Sequence, residues 1–507
     1  MIRYGDERIC VVIGRTRHNM IQVEIQEAAK CGAQMIELRL DFLAKAPDFR
    51  RLLATKPCPL VATVRRPRDG GRWAGSEEDR QLLLRQAIVG GFDWVDLEID
   101  VAEQIPRFKD VKRIISYHNL HEVPEHLEAI HEEMCQLDAD VVKIAVAAQE
   151  PADNLRVLRL MRKPSKPTVA FCMGDLGIPS RILGAKFRAP FTYAAFNKER
   201  GIAPGILSYD EIKRVYQYPR INPETKIFGL IGDPVAHSLS PLIHNTAFRS
   251  LGINSVYIPF RVPRAALEGF LKDFDLLPVH GYSVTIPHKE AAAEFAQQKD
   301  AAVTLTHAAN TLVRGEDGFT AYNTDYEAAR ESLLANLPPG PNGELGSLHA
   351  RTALILGAGG MARAMAHALQ REGVLLSITN RTPERTHRLA EEVGCRVVEW
   401  PARHSYLCEI LVNCTSVGMH PNLDDSPIHP GALKPGQIVM DSVYTPETTL
   451  LVKEARSRGC HVITGVDMFV RQAALQFQFF TGREPPLDLM RSVVRRAFSP
   501  VVLRDEE

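Results

Sequence analysis

From residue 9 to residue 196 the chain alternates short β-branched runs with helical stretches, and eight such runs stand out, at 9–13, 35–40, 60–64, 94–99, 113–117, 140–145, 168–172 and 193–196. Eight strands with intervening helices over about two hundred residues are what a closed (β/α)8 TIM barrel requires. An open doubly wound sheet has similar content, and polar residues at strand ends separate the two, because barrel chemistry gathers at the C-terminal rim. Glu37 and Arg39 alternate with Ile36, Leu38 and Leu40, so both charges turn to one face. Arg65 follows Val64, Glu98 ends Asp96-Leu97-Glu98, His118 follows Ser116-Tyr117, Lys143 lies in the sixth run and Arg181 after the seventh. Polar strand ends on so many consecutive units converge on one cavity, and the barrel therefore predicts a site there.

Lys143 interrupts the apolar run Val141-Val142-Lys143-Ile144-Ala145-Val146-Ala147. Burial penalises the ammonium, so a lysine on such a strand tends toward a free amine that attacks a carbonyl and forms an imine. The competing reading is a strand-end lysine whose stem packs while its head reaches water.

At 507 residues the chain is too long for one ordinary core and suggests roughly three domains. Its 61 basic and 61 acidic side chains leave no electrostatic footprint for nucleic acid or a membrane surface, so small-molecule chemistry is expected. Nine scattered cysteines, none paired at CxxC spacing, read as reduced thiols, with no metal site expected. No signal or transit-type segment precedes the first run, and no apolar stretch is long enough to span a bilayer, so a cytoplasmic location is expected.

The two prolines of Tyr218-Pro219-Arg220-Ile221-Asn222-Pro223-Glu224-Thr225 suit an extended linker, and a second break falls at Leu337-Pro338-Pro339-Gly340-Pro341-Asn342-Gly343. The expected domains are a barrel over 1–218, an α/β substrate domain over 226–336 and a Rossmann-type dinucleotide domain over 345–470, with C-terminal helices at about 471–507 packing back. In the third domain Ala353-Leu354-Ile355-Leu356 runs into Gly357-Ala358-Gly359-Gly360-Met361-Ala362 and a helical pattern. Glycines in a strand-to-helix turn let backbone amides approach a pyrophosphate at the helix N-terminus. An NAD site would place an acid at the end of the next strand, on the ribose 2′-hydroxyl. Here Ser377-Ile378-Thr379 ends in Asn380-Arg381-Thr382, with Arg385 one turn on, so two guanidiniums are available for a 2′-phosphate and NADP(H) is the expected cofactor.

Together these motifs resemble two families joined in one chain. The N-terminal half is similar to type I 3-dehydroquinate dehydratase, through Glu37-Leu38-Arg39-Leu40-Asp41, Thr63-Val64-Arg65 with Gly70-Gly71, Asp96-Leu97-Glu98, Ser116-Tyr117-His118, Lys143 and Ser180-Arg181. The C-terminal half is similar to shikimate dehydrogenase. That likeness rests on Gly232-Asp233-Pro234-Val235-Ala236-His237-Ser238-Leu239-Ser240-Pro241, Val284-Thr285-Ile286-Pro287-His288-Lys289, Asn310-Thr311-Leu312 and Asn323-Thr324-Asp325. It continues through Asn413-Cys414-Thr415-Ser416-Val417-Gly418-Met419, the Tyr444 segment and residues 465–472. The order is that of the bifunctional family of plants and some bacteria.

The resemblance implies that Lys143 forms an imine with the ketone of 3-dehydroquinate, without metal. His118 would remove the adjacent proton and later protonate the departing hydroxyl, with Glu98 orienting its imidazole. Arg181, Arg39, Arg65 and Glu37 would hold the substrate carboxylate and hydroxyls. In the second half the resemblance implies NADPH-dependent reduction of 3-dehydroshikimate to shikimate, with Lys289 and Asp325 as the catalytic pair. Ser238, Ser240, Thr285, Asn310, Tyr444 and Gln472 would contact substrate, and Thr415 and Gly465 would join the cofactor site. The retained Ser238, Ser240 and Thr285 favour shikimate over quinate. One departure stands out in Ile202-Ala203-Pro204-Gly205-Ile206. The family's lid carries a serine shortly before Ala-Pro-Gly and a glutamine directly after it, so isoleucines here imply altered affinity and lid closure more than lost chemistry. Two other readings are a quinate dehydrogenase joined to a weakened dehydratase, and a sensor that binds shikimate-type ligands and NADP without turnover. The sensor would not require both catalytic sets.

Overall fold

The structure, a computed structural model, describes residues 8–201, 203–236, 238–273, 277–337 and 346–498. Ile202, His237, residues 338–343 of the 337–343 break and the end of the expected C-terminal helices, 499–507, lie outside the described residues. The chain divides into two compact units, Met1–Pro241 with Gly252–Val279, and Leu242–Leu251 with His280–Glu507.

In the first unit, eight strands form one parallel sheet: β1 (Ile9–Ile13), β2 (Ile36–Arg39), β3 (Leu60–Thr63), β4 (Trp94–Glu98), β5 (Lys112–Asn119), β6 (Val141–Ala147), β7 (Thr168–Met173) and β8 (Thr192–Ala195). Their order, β7-β6-β5-β4-β3-β2-β1-β8, makes a near-closed α/β barrel. Every expected run is a strand, with its ends displaced by at most two residues. The pleat explains how one sequence builds both a core and a site. Trp94 is followed two residues apart by Asp96 and Glu98, Ile114 by Ser116 and His118, and Val141 by Lys143, so each strand's inner face changes from apolar to polar along its length. The apolar members join Cys10, Val12, Met35, Val61, Val169, Phe171, Phe191 and Tyr193 in one buried cluster. Each large apolar side chain in that floor stabilises by about 1.5–3 kcal/mol, and the charged side chains stand above it at the strands' C-terminal ends.

The segment 218–225 is not an extended tether. It opens with a 3-10 turn, Tyr218–Arg220, whose Tyr218 is fully buried, and Arg8 Nη2 donates to the carbonyls of Tyr218, Pro219 and Ile221 at 3.2, 3.1 and 2.9 Å. Lys186 Nζ donates to the Pro223 and Thr225 carbonyls. Prolines cannot supply amide donors, so the carbonyls are left for cations from the barrel, and these fix the segment to it. The unit continues into β9 (Lys226–Gly232), paired in parallel with β10 (Ser255–Arg261).

The second unit contains β11 (Val279–Val284), β12 (Gln298–Lys299), β13 (Thr311–Gly315) and β14 (Gly318–Tyr322), with β13 antiparallel to β11 and β14, and β12 parallel to β14. It also contains a six-stranded parallel sheet of β15 (Thr352–Leu356), β16 (Leu375–Thr379), β17 (Arg396–Val397), β18 (Ile410–Asn413), β19 (Ile438–Asp441) and β20 (His461–Ile463). Its order, β17-β16-β15-β18-β19-β20, is the doubly wound arrangement, with the topological switch between β15 and β18. One continuous helix, Gly465–Thr481, runs across the expected domain boundary at 470. No helix among the described residues is long and apolar enough to cross a membrane.

Candidate active sites

A cavity of about 110 Å³ at the barrel's C-terminal end is lined by Glu37, Arg39, Arg65, His118, Lys143 and Arg181, six of the expected site residues. The surroundings of Lys143 differ from those its strand suggests. Its apolar sequence neighbours Val142 and Ile144 point to the opposite face. The amine, on a residue 6% exposed, lies 2.9 Å from Asp96 Oδ2, 3.5 Å from Glu37 Oε2 and 4.1 Å above the Tyr193 ring. Counter-ions carried on β4 and β2, rather than apolar desolvation, dominate its environment. Asp96 also pairs with Arg65 Nη2 at 2.8 Å and accepts from Ser116 Oγ at 2.6 Å. Burial would raise the Asp96 pKa, but Arg65, Lys143, His118 and the Ser116 hydroxyl outweigh it and hold the carboxyl well below the usual carboxylate range.

His118 lines the same cavity, and its Nδ1 is buried with no hydrogen-bond partner among the described residues. Burial first, then the charges of Arg65 and Lys143, lower its pKa well below the ordinary imidazole value, so the ring is neutral at physiological pH. The expected hydrogen bond from Glu98 to this ring is not made. Glu98 Oε1 accepts from Arg65 Nη1 at 2.8 Å, and Oε2 from Arg80 Nη1 at 2.7 Å. Arg80, fully buried on the helix Glu77–Gly90, takes up the second oxygen, which the sequence does not disclose. Asp69, on the 3-10 turn Pro67–Asp69, lines the cavity as well as Glu37, and its Oδ2 accepts from Arg66 Nε at 2.7 Å. Sequence periodicity misses Asp69 because it lies beyond a strand; its only signal is an acid set between Arg65 and Gly70-Gly71. A low-pKa base keeps working in acid, so the acid limb of kcat/KM for the barrel's reaction is expected below the ordinary imidazole value. A limb at or above that value would remove His118 from the role of base.

Arg181 is the cavity's unmatched cation. Its guanidinium carbon lies 4.2 Å above the Phe171 ring, its Nη2 donates at 3.4 Å to the Pro204 carbonyl, its Nε is buried without a partner, and it makes no ion pair among the described residues. Burial, only slightly opposed by Cys172, lowers its pKa to about 10. The lid segment approaches closely here. Gly205 has φ +67°, and a β-carbon on it would stand 2.3 Å from the Gly174 carbonyl oxygen, so only glycine fits. Ile206 lines the cavity and packs on the barrel's buried cluster.

In the second unit, Lys289 begins the helix Lys289–Phe295 and Asp325 lies in the first turn of Thr324–Leu334; Lys289 Nζ donates to Asp325 Oδ2 at 2.6 Å. The Asn310 amide is committed locally, donating to Thr324 Oγ1 at 2.9 Å and accepting from the Thr324 amide at 2.8 Å and from Thr311 Oγ1 at 2.9 Å. Thr285 is half-buried just beyond β11, and its carbonyl accepts from the His288 amide at 2.9 Å. Tyr444 is 38% exposed and stacks on Phe469 at 4.9 Å, one turn before Gln472, whose Nε2 donates to the Phe469 carbonyl at 2.9 Å. Gln476, absent from the expected set, is 2% exposed. It accepts from Ser283 Oγ at 2.7 Å and donates to the Asn310 carbonyl and Thr311 Oγ1 at 3.0 Å, which pins the long helix to β11 and β13. Ser238 and Ser240 belong to the first unit, where Ser238 Oγ donates to Ser240 Oγ and accepts from the Ser240 amide, both at 3.2 Å.

The turn after β15 is uncrowded at two of its glycines. Gly357 has φ +115°, and its amide donates to the Thr379 carbonyl at 2.8 Å. A β-carbon on Gly359 or Gly360 would meet nothing within 4 Å, so the approach to the N-terminus of the helix Gly360–Arg371 is open, with Ala358, Met361 and Ala362 completing the turn. Beyond β16, Arg381, Thr382 and Arg385 are exposed, neither arginine makes an ion pair among the described residues, and Asn380 Nδ2 donates to the Thr382 carbonyl at 3.3 Å. Across the switch point, Thr415 Oγ1 donates to Asn413 Oδ1 at 2.7 Å. Gly465 passes so close to β19's exit that a β-carbon would stand 2.3 Å from the Val443 carbonyl oxygen.

An amine set among carboxylates in a parallel α/β barrel, followed by a Lys–Asp pair and a doubly wound sheet, defines a lyase joined to an oxidoreductase. Family models agree. Residues 9–223 match type I 3-dehydroquinase, 230–312 the shikimate dehydrogenase substrate binding domain, 342–422 shikimate / quinate 5-dehydrogenase and 465–495 the shikimate 5′-dehydrogenase C-terminal domain. The bifunctional 3-dehydroquinate dehydratase/shikimate dehydrogenase, chloroplastic, of Arabidopsis thaliana is 35% identical over 509 residues, covering 96% of this chain and 84% of that protein. The shikimate biosynthesis protein AroDE of Chlamydia pneumoniae is 31% identical over 453 residues, covering 87% and 89%. A crystal structure of shikimate dehydrogenase in complex with NADP+ aligns with TM-score 0.51 and 32% identity over 55% of this chain and 98% of that one. The chain belongs to the family of bifunctional 3-dehydroquinate dehydratase/shikimate dehydrogenases.

Proposed function

We propose that Lys143 carries the dehydration of 3-dehydroquinate by forming an imine with its ketone, and that Lys289 and Asp325 serve the NADPH-dependent reduction of the resulting 3-dehydroshikimate. The observation that carries the first half is the Lys143 amine held between Asp96 and Glu37 in a cavity that also holds the unpaired Arg181. Arg181 takes the substrate carboxylate, and Arg39, Arg65 and Glu37 take its hydroxyls. As the Lys143 nitrogen bonds to the ketone carbon, the two protons it loses leave with the ketone oxygen as water, with Glu37 as relay, and a protonated imine remains beside the ionised Asp96. Neutral His118 then removes the adjacent proton, the imine takes up the electron pair, and the proton leaves with the departing hydroxyl as water. Hydrolysis returns the amine. Glu98, held by Arg65 and Arg80, acts on His118 through Arg65 rather than by a direct hydrogen bond.

In the second half, Gly357, Ala358, Gly359, Gly360, Met361 and Ala362 receive the cofactor's pyrophosphate, while Asn380, Arg381, Thr382 and Arg385 receive its 2′-phosphate, with Thr415 and Gly465 bordering the nicotinamide end. When bound, the nicotinamide supplies a hydride to the ketone carbon. Lys289 gives the new hydroxyl its proton, and Asp325 keeps the ammonium aimed. Ser238, Ser240, Thr285, Asn310, Tyr444 and Gln472 are the contacts for shikimate's hydroxyls and carboxylate. The domain limits 1–218 and 226–336 rest on the family matches at 9–223 and 230–312, the dinucleotide domain ends before Gly465 because the helix Gly465–Thr481 is unbroken, and the proposed location is cytoplasmic. Arg381→Ala raises KM for NADPH by about ten- to a hundredfold, from loss of one charge-assisted contact, and leaves KM for NADH nearly unchanged; an unaltered cofactor preference would remove Arg381 from the phosphate site.

The test joins both halves. The purified chain receives 3-dehydroquinate and NADPH while 3-dehydroshikimate absorbance and NADPH loss are followed, with borohydride trapping in parallel. Coupled oxidation of NADPH and a borohydride-stable adduct on Lys143 are expected. Oxidation only when 3-dehydroshikimate is supplied would favour the reading in which Ile206 has weakened the barrel, and faster turnover of quinate with NAD would favour a quinate dehydrogenase.

A further inference from the structure

Lys143 and Arg181, two of the barrel cavity's cations, stand on aromatic faces. The Arg181 guanidinium carbon lies 4.2 Å above the Phe171 ring, and Lys143 Nζ lies 4.1 Å above the Tyr193 ring. The second contact has a fixed geometry. Tyr193 sits on β8 opposite Cys10 of β1, among the apolar side chains of the barrel floor, and it both lines the cavity and is only 3% exposed. Phe171 and Phe191 meet its ring edge to face, with centroids 6.0 and 5.4 Å away and planes at 61° and 77°. Two such neighbours fix the plane of the ring and hold its face under the amine. The Tyr193 hydroxyl is buried with no hydrogen-bond partner among the described residues. Burial first, then the charge of Glu37, pushes its pKa well above the ordinary phenol value, so the side chain stays neutral. The contact is therefore not an ion pair. What Tyr193 offers Lys143 is the negative face of an uncharged ring.

We propose that Tyr193 is a further catalytic residue of the barrel, its ring face holding the positive charge that stays on the Lys143 nitrogen when the amine becomes a protonated imine. The inference rests on the imine assigned to Lys143 above. As an ammonium, Lys143 has three N–H groups and directs them to carboxylates, with Asp96 Oδ2 at 2.9 Å and Glu37 Oε2 at 3.5 Å. A protonated imine has one. The carbon–nitrogen double bond forms as the ketone oxygen departs as water, and two N–H groups are lost while the charge remains. At most one carboxylate is then still served by a hydrogen bond. A ring face needs no N–H, so its attraction persists through the change. That attraction also grows as substrate expels water from the cavity, because a cation–π contact is stronger when desolvated. The ring therefore favours the imine over the resting amine. An uncharged face has a second advantage here, since a third carboxylate in its place would hold the ammonium more firmly and oppose the loss of its protons.

The full chain, carrying tyrosine, phenylalanine or a mono-, di- or trifluorinated phenylalanine at position 193, is given 3-dehydroshikimate and sodium cyanoborohydride at neutral pH without NADPH. This reductant acts slowly on protonated imines and spares ketones, so the early yield of adduct on Lys143, read by peptide mass, reports how much imine is present. Fluorine draws negative charge from the ring face and adds little volume. Tyr193→Phe is expected to match the native chain, and the yield to fall stepwise with each fluorine, by about five- to tenfold over the series, the gain of a cation–π contact on desolvation. Tyr193→Leu, apolar but without a π face, falls at least as far. Melting temperature and the reduction of 3-dehydroshikimate by NADPH are the controls for folding. Equal yields across the fluorinated series, or a loss in Tyr193→Leu that fluorination does not reproduce, would overturn the role of the ring and leave the imine standing. No adduct in the native chain would end the imine assignment and this one with it.

Discussion

Replacing Lys143 with alanine is expected to lower dehydration of 3-dehydroquinate by about 10⁴-fold or more, to abolish borohydride trapping and to leave reduction of 3-dehydroshikimate by NADPH at its original rate. The size of the effect follows from the role. A covalent nucleophile cannot be replaced in part by the groups around it, because His118 has no acidified proton to remove until the ketone becomes an imine. Removing the amine also strips Asp96 and Glu37 of a buried counter-ion, although Arg65 remains on Asp96 at 2.8 Å. Lys143→Met keeps the stem's packing on the barrel floor and separates lost chemistry from lost stability. The reductase activity of the same chain is the internal control for folding. A trapped adduct in either variant, or loss of both activities in a folded protein, would refute the assignment.

Lys289→Ala produces the complementary result. It is expected to lower kcat for reduction by about 10²–10⁴-fold, the usual range for a lost general acid, with little change in KM for NADPH and none in dehydration. The 2.6 Å contact to Asp325 is the reason to expect the loss on kcat, since in the proposed mechanism the carboxylate holds the ammonium in place for proton delivery. Asp325→Asn, which keeps a side chain of the same shape, is expected to lie between the wild type and Lys289→Ala. A large rise in KM for NADPH with kcat intact would mean that Lys289 belongs to cofactor binding.

The barrel was legible from sequence because each parallel strand, buried on both faces, must be a short β-branched run, and eight of them leave few alternatives. The residues of its cavity were legible for a related reason. Pleat parity puts Glu37 with Arg39, and Asp96 with Glu98, on shared faces. What parity does not supply is partners across the barrel. Asp96 and Glu98 share a face, yet one reaches Lys143 and the other is taken by Arg65 and Arg80, and that choice depends on strand stagger and on a helix docked outside. Asp69 escaped because a 3-10 turn has no two-residue period. Gln476 escaped because a buried glutamine on a helix looks like a surface residue until Ser283 and Thr311 close on it.

Arg181 gives the barrel a thermodynamic bias of its own. A buried guanidinium that meets an aromatic face and one long carbonyl contact, but no anion, is a liability of the ligand-free fold. A carboxylate that enters the cavity removes that liability, so occupancy and melting temperature rise together. Arg181→Met inverts the relation, with a ligand-free barrel at least as heat-resistant as the native one and almost indifferent to substrate. If Arg181 takes the substrate carboxylate as proposed, recognition comes at the expense of the stability that the ligand-free core could reach.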